Sequence, residues 1–201
     1  MAEEIMEDAV AMLRKGGVVA FPTESSYGLA VDPFNEKAVK KLRELKQEPA
    51  GKPMILICAS KQMCRKIAFL DERAKRIVDS LMPGALTLVA KKKACIPDFL
   101  SKETVAFRIS SNEIARELSR KFGKAITATS ANLHGKEPAF SPKEVEKYFG
   151  AKVDLVIDGG KLKKSEPSTI FDLEKMRVLR KGPVRRNAII KAMQKGSQNQ
   201  R

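Results

Sequence analysis

Amphipathic helical stretches alternate with short apolar runs along this chain, and most of the runs are stopped by glycine, proline or a polar cluster. Residues 3–15 place Ile5, Ala9, Met12 and Leu13 on one helical face, which Gly16-Gly17 ends. Val18-Val19-Ala20-Phe21 then reads as a buried strand closed by Pro22. A second helix fits 36–46, with Asn35 as N-cap, and a strand fits 54–58. Further helices fit 61–68, 72–82, 112–122 and 142–149, the last with Ser141 as N-cap and Pro142 in the first turn. Strands fit 85–90, 104–109, 125–128, 153–157, 168–172 and 177–180. This order predicts an α/β fold: one domain with a twisted mixed sheet and helices packed on it. A chain of 201 residues, 43% apolar, suits one well-packed domain, which we place at 1–184, followed by a basic C-terminal tail at 185–201.

Charge is the second constraint. The net charge is +15, and two segments hold the surplus: residues 61–93 carry 9 basic and 3 acidic side chains, and residues 161–201 carry 12 and 3. Clustered cations attract phosphates and polyanions, although a solvated basic surface has the same composition. Three cysteines, Cys58, Cys64 and Cys95, match no disulfide framework and no C-x-x-C site, which points to a reducing, cytoplasmic compartment. The N-terminus is acidic where a signal peptide would be basic, and no apolar run reaches membrane-spanning length, so no membrane partner is expected.

Several chemistries are excluded by inventory. The chain has no phosphate loop of the G-x-x-x-x-G-K-[ST] type, no G-x-G-x-x-G turn, no G-x-S-x-G elbow and no H-E-x-x-H helix. Its single histidine, His134, sits in a polar segment and reads as an exposed loop residue. An enzyme built from this chain would work by positioning and charge.

Four loops offer groups for that. Pro22-Thr23-Glu24-Ser25-Ser26-Tyr27-Gly28 follows a strand, and its hydroxyls suit a small polar substrate. Lys46 to Pro53 follows a helix, with Lys46 at the end where the dipole favours a cation. Thr127 to Asn132 is a small-residue run of the kind that makes anion-binding nests. Glu166 to Ile170 precedes Leu179-Arg180-Lys181-Gly182. Each alone reads equally well as an ordinary turn or strand edge.

In order, these segments carry a specific likeness. With GGVVAFPTESSYGLAVDP at 16–33, LKQEPAGKPMILI at 45–57, MPGALTLV at 82–89, TVAFRIS at 104–110, ITATSANLHGKEPA at 126–139, DLVIDGG at 154–160, and PSTIFDL with VLRKGPV between 167 and 184, the chain resembles the YrdC/TsaC family of threonylcarbamoyl-AMP synthases over almost its full length. The likeness is to the short, single-domain form. It implies a YrdC-like fold with a concave basic groove. It also implies formation of threonylcarbamoyl-AMP and pyrophosphate from L-threonine, bicarbonate and ATP with Mg2+, metal ligands unknown, for N6-threonylcarbamoyladenosine in tRNA, which a separate transferase completes.

Carried over by position, Thr23, Arg108, Ala128 and Ser168 would hold threonine. Lys46, Lys52, Thr104, Ser130, Asn132 and Arg180 would hold the nucleotide. A buried Arg108 in an apolar strand requires an anionic partner. One position departs from the pattern: Glu48 stands where the family commonly has the arginine of a K-x-R. Three accounts fit: Glu48 turns outward with Lys52 or Arg43 supplying the charge, it helps hold Mg2+, or the activity is altered. The competing class is a non-catalytic member binding double-stranded RNA or tRNA. The basic tail from Val184 is a candidate cover for the active site.

Overall fold

The computed structural model describes residues 2–49 and 53–194. Among the described residues, ten strands fall into two mixed sheets. In the smaller, β1 (Val19–Pro22) pairs antiparallel with β2 (Tyr27–Ala30) and parallel with β8 (Leu155–Val156), and β7 (Thr129–Ser130) joins β2, giving the order β7-β2-β1-β8. The larger has the order β10-β9-β4-β5-β3-β6, from Arg177–Arg180, Thr169–Asp172, Leu86–Lys91, Thr104–Arg108, Ile55–Ile57 and Ile126–Thr127. Here β3 runs parallel to β5 and β4 parallel to β9, while the other pairs are antiparallel.

The helices follow the apolar spacing. α1 (Ala2–Arg14) buries Ala9, Val10 and Leu13 in a cluster with Ala115, Leu118 and Phe122 of α5 (Glu113–Phe122). α2 (Glu36–Lys46) is capped by the Asn35 side chain, which accepts from the Ala38 amide, and buries Ala38, Val39 and Leu42. α3 (Lys61–Ile67), α4 (Glu72–Leu81) and α6 (Pro142–Phe149) are capped in the same way by Ser60, Asp71 and Ser141. A larger apolar cluster, with Leu56, Ile77, Leu86, Phe107 and Phe171 fully or almost fully buried, backs the six-stranded sheet.

Three features differ from the expectation of one sheet and a tail. The strand expected at 125–128 breaks at Ala128, because the chain leaves the six-stranded sheet after Thr127 and enters the four-stranded one at Thr129. Ala128 itself stays tied to the first sheet, its amide donating to the Ile55 carbonyl at 2.8 Å. The segment Tyr27-Gly28-Leu29-Ala30 is a fully buried strand, not the tail of a loop, because β1 and β7 pair with it on both sides. Arg186–Gln194, expected as part of a basic tail starting at 185, forms α7. It packs on α4 with Ile189, Ala192 and Met193 buried, and Arg76 Nε of α4 donates to the Met193 carbonyl at 2.7 Å. Folded structure thus continues past residue 184. The segment 195–201 lies outside the described residues.

Among the described residues, no helix is long and apolar enough to cross a membrane. The three cysteines are free, with Cys58 and Cys64 buried and Cys95 exposed. Burial pushes the Cys58 thiol well up, as does the neighbouring Cys64, so it is an inert core residue.

Candidate active site

Where the chain crosses between the sheets, a cleft of about 1060 Å3 opens, lined by residues from both. Its walls gather Thr23, Thr104, Arg108, Ala128, Ser130, Ser168 and Arg180 from five separate stretches of chain. Lys46 and Asn132 lie just behind this wall, and Lys52 lies outside the described residues.

The Thr23 loop is held by its own hydroxyls. Thr23 Oγ1 donates to the Ser26 carbonyl at 2.7 Å and accepts from the amides of Ser25 and Ser26. This closed turn fixes β1 against β2 and sets the loop at the cleft edge. Across it, Tyr27 of β2 reaches the 159–160 segment: its hydroxyl donates to the Gly160 carbonyl and accepts from the Gly159 amide, each at 2.9 Å. Burial raises the Tyr27 phenol, with the Gly159 amide acting against that shift. Gly159 is required here, since a Cβ would sit 2.5 Å from the Pro22 ring.

Arg108, at the end of β5, is 5% exposed and faces the cleft. The anionic partner that its burial demanded is Glu24, which accepts from Nη1 and also from the Ser110 hydroxyl. Burial lowers the Arg108 guanidinium from its ordinary value, and the Glu24 charge opposes that shift. Arg108 Nε is buried without a hydrogen-bond partner. A buried N–H in that state costs free energy, and an incoming oxyanion would recover it.

The opposite wall is Ser168 and Arg180. Arg180 donates from Nε and Nη2 to the Ser168 carbonyl at 3.0 and 2.9 Å, and Nη2 also reaches Ser168 Oγ at 3.1 Å. Thr87 Oγ1 lies 2.8 Å from Ser168 Oγ. Gly182 makes this close approach possible, because a Cβ there would sit 2.4 Å from the Pro167 carbonyl oxygen. Burial lowers the Arg180 guanidinium, and so does the positive charge of Arg108. Two cations therefore address one volume.

The third wall holds Lys46 and Glu48. The Lys46 side chain is 1% exposed, and its ammonium donates to the carbonyls of Ser130 and, at 2.9 Å, Asn132. Ser130 Oγ and Asn132 Oδ1 lie 2.5 Å apart, and the Asn132 amide nitrogen donates to the carbonyls of Leu133 and Lys136. Lys46 thus stitches the α2 end to the 130–132 loop. Glu48 does not turn outward: its side chain is 4% exposed, lines the cleft and places Oε1 3.9 Å from Lys46 Nζ. His134 is exposed, as expected.

Charge is arranged rather than abundant. The described lining carries Arg108, Lys164, Lys175 and Arg180 against Glu48, Glu103, Glu137, Glu166, Asp172 and Glu174. The basic surplus of the chain therefore does not lie in this part of the groove. No described residue of 185–194 lines the cleft either, so α7 does not cover it. Glu24 and Ser110 were not singled out by residue type. The signal for Glu24 was the need of a buried arginine for a counter-ion, together with a carboxylate inside the hydroxyl-rich turn.

A family model named for Sua5, YciO and YrdC, and described as telomere recombination, matches residues 11–182. A threonylcarbamoyl-AMP synthase of Cellvibrio japonicus is 37% identical over 175 residues, 86% of this chain and 93% of that one. The structure of P. abyssi Sua5 complexed with L-threonine superposes with a TM-score of 0.89 at 34% identity, covering 96% of this chain and 58% of the longer one. E. coli YciO gives a TM-score of 0.84 at 30% identity, covering 94% of each chain.

Proposed function

The chain belongs to the Sua5/YciO/YrdC family, and from that premise we propose that it is a threonylcarbamoyl-AMP synthase. The single observation that carries this reading is Arg108, a buried guanidinium in the cleft wall with Nε unpartnered, suited to the carboxylate of an amino acid. Relatives that match most of the chain bear the same name, and one structural relative is a complex with L-threonine.

In this reading Arg108, Thr23, Ala128 and Ser168 hold threonine, while Thr104, Ser130, Asn132, Lys46, Lys52 and Arg180 serve the nucleotide. The threonine amine adds to bicarbonate-derived carbon dioxide and loses a proton, giving a carbamate. A carbamate oxygen attacks the α-phosphorus of ATP, and the bond to pyrophosphate breaks. No protein nucleophile takes part, so the chain contributes proximity and charge. Arg180 near Arg108 would draw the phosphate towards the carbamate.

Among the described residues, no group of three or more His, Cys, Asp or Glu side chains could hold a metal. An Mg2+ ion would instead come in on the triphosphate, where it needs few protein ligands. Bound there, the ion would neutralise the leaving pyrophosphate.

The product would serve tRNA through a separate transferase in the cytoplasm. One observation favours a second reading, a member with altered activity that binds double-stranded RNA or tRNA: the inward-facing Glu48 beside Lys46. One experiment separates the two. Pyrophosphate release from MgATP is measured with threonine and bicarbonate together, then with each omitted. Release that needs both is expected. No release above the omission controls, with salt-sensitive RNA binding, would establish the second reading.

A further inference from the structure

Glu24 has no part in the reading above, yet it is the carboxylate that pairs with the residue on which that reading rests. Arg108 lines the cleft and Glu24 does not, although Glu24 Oε1 accepts from Arg108 Nη1. The carboxylate thus holds the guanidinium by Nη1. Its second oxygen accepts from the Ser110 hydroxyl, and Ser110 Oγ accepts in turn from the Asn112 amide at 3.2 Å. Asn112 caps α5, its side chain accepting from the Ala115 amide, so this chain of bonds is anchored to a helix end. The backbone of Glu24 is held as well, its carbonyl accepting from Ser165 Oγ at 2.9 Å.

Chemistry assigns the remaining edge. A guanidinium bound through Nη1 keeps Nε and Nη2 as its other pair of donors, and Nε is the buried atom without a partner. A carboxylate fits such an edge with two parallel bonds. We propose that Glu24 is a positioning residue, holding Arg108 through Nη1 so that the Nε edge meets the carboxylate of the amino-acid substrate. The inference rests on the reading of the cleft as a threonine pocket.

The sign of the effect separates this role from its opposite. A carboxylate that merely competed with substrate for Arg108 would weaken binding, and its removal would tighten it. A carboxylate that orients Arg108 pre-arranges a long, flexible side chain, and its removal loosens binding. Two features favour orientation: the single-oxygen contact at Nη1 and the second oxygen committed to Ser110.

The experiment is calorimetric binding of L-threonine and of L-threoninol, which lacks the carboxylate, to the unmodified protein, Glu24→Gln and Ser110→Ala. Glu24→Gln keeps shape and removes the charge. Threonine affinity is expected to fall about tenfold, with threoninol affinity and ATP affinity unchanged, and Ser110→Ala is expected to reproduce part of the loss. A fold defect would weaken all three ligands together, and Ser110→Ala carries the test if Glu24→Gln does not fold. Threonine binding left unchanged or tightened overturns the inference and leaves the threonine pocket standing. Absence of threonine binding by the unmodified protein overturns both.

Discussion

Lys46 and Glu48 lie two residues apart on the turn that leaves α2, with ammonium and carboxylate 3.9 Å apart and both side chains withdrawn from solvent. The carboxylate lines the cleft where the family pattern places a guanidinium, while the ammonium is turned to the carbonyls of Ser130 and Asn132. Any triphosphate bound here meets a negative group. Glu48→Arg should therefore tighten ATP binding, on the order of tenfold at low salt. The gain should shrink as salt is raised. Titration of ATP into both proteins at two ionic strengths checks this, and equal affinities would mean that Glu48 does not face the phosphates.

Lys46 has a structural task whether or not a nucleotide is bound. Lys46→Met removes the ammonium shared by two loop carbonyls and takes that cation from beside Glu48. Losing charge-assisted bonds at a buried site should cost about 2–4 kcal/mol. Urea unfolding reads this as a lower midpoint in the absence of ATP. A side chain whose only partner was a phosphate would leave that midpoint where it was.

Much of this arrangement was legible because local chemistry and tertiary structure agree. Asn35 and Ser141 cap the helices that their positions announce, and Ala38, Val39 and Leu42 are buried as their spacing requires. What stayed hidden depends on partners distant in sequence. Tyr27-Gly28 carries turn-like residues, yet becomes a strand because two others pair with it. Ala128 marks the change of sheet, which no local propensity encodes. α7 was obscured by Arg186 and Lys191, although Ile189, Ala192 and Met193 make a buried stripe at helical spacing. At the site, residue types singled out groups that line the cleft, but not that Lys46 and Asn132 would be engaged with the protein itself.

The position of α7 on α4, away from the cleft, separates stability from activity. Ile189 is fully buried, and Ile189→Ala should cost about 2–4 kcal/mol with its cavity. KM for threonine and ATP should stay within about twofold at temperatures where the variant is folded, since no described α7 residue lines the site. Thermal unfolding and initial rates on the same preparation check both halves. A KM shift without loss of stability would show that this helix does act on the cleft.

Asp154 links three elements next to the cleft scaffold. Its Oδ2 accepts from the Val18 amide at 2.7 Å, where the chain enters β1, and from Lys41 Nζ of α2 at 2.8 Å. Burial works to raise its carboxyl, but Lys41 and the Val18 amide outweigh burial and hold it below the ordinary value of 3.8. A carboxylate lowered on folding contributes stability above its unfolded value, and that contribution is lost as pH falls through the lower, folded value. Asp154→Asn should therefore reduce stability at pH 7 by about 1 kcal/mol, since the Lys41 partner is exposed and much of the gain comes from the amide bond. Below the folded value the native side chain is protonated too, so the two proteins should converge. Unfolding midpoints taken from pH 7 down to pH 3 give the answer: a gap that narrows with acid supports the charge-linked role, and a constant gap assigns the loss to packing alone.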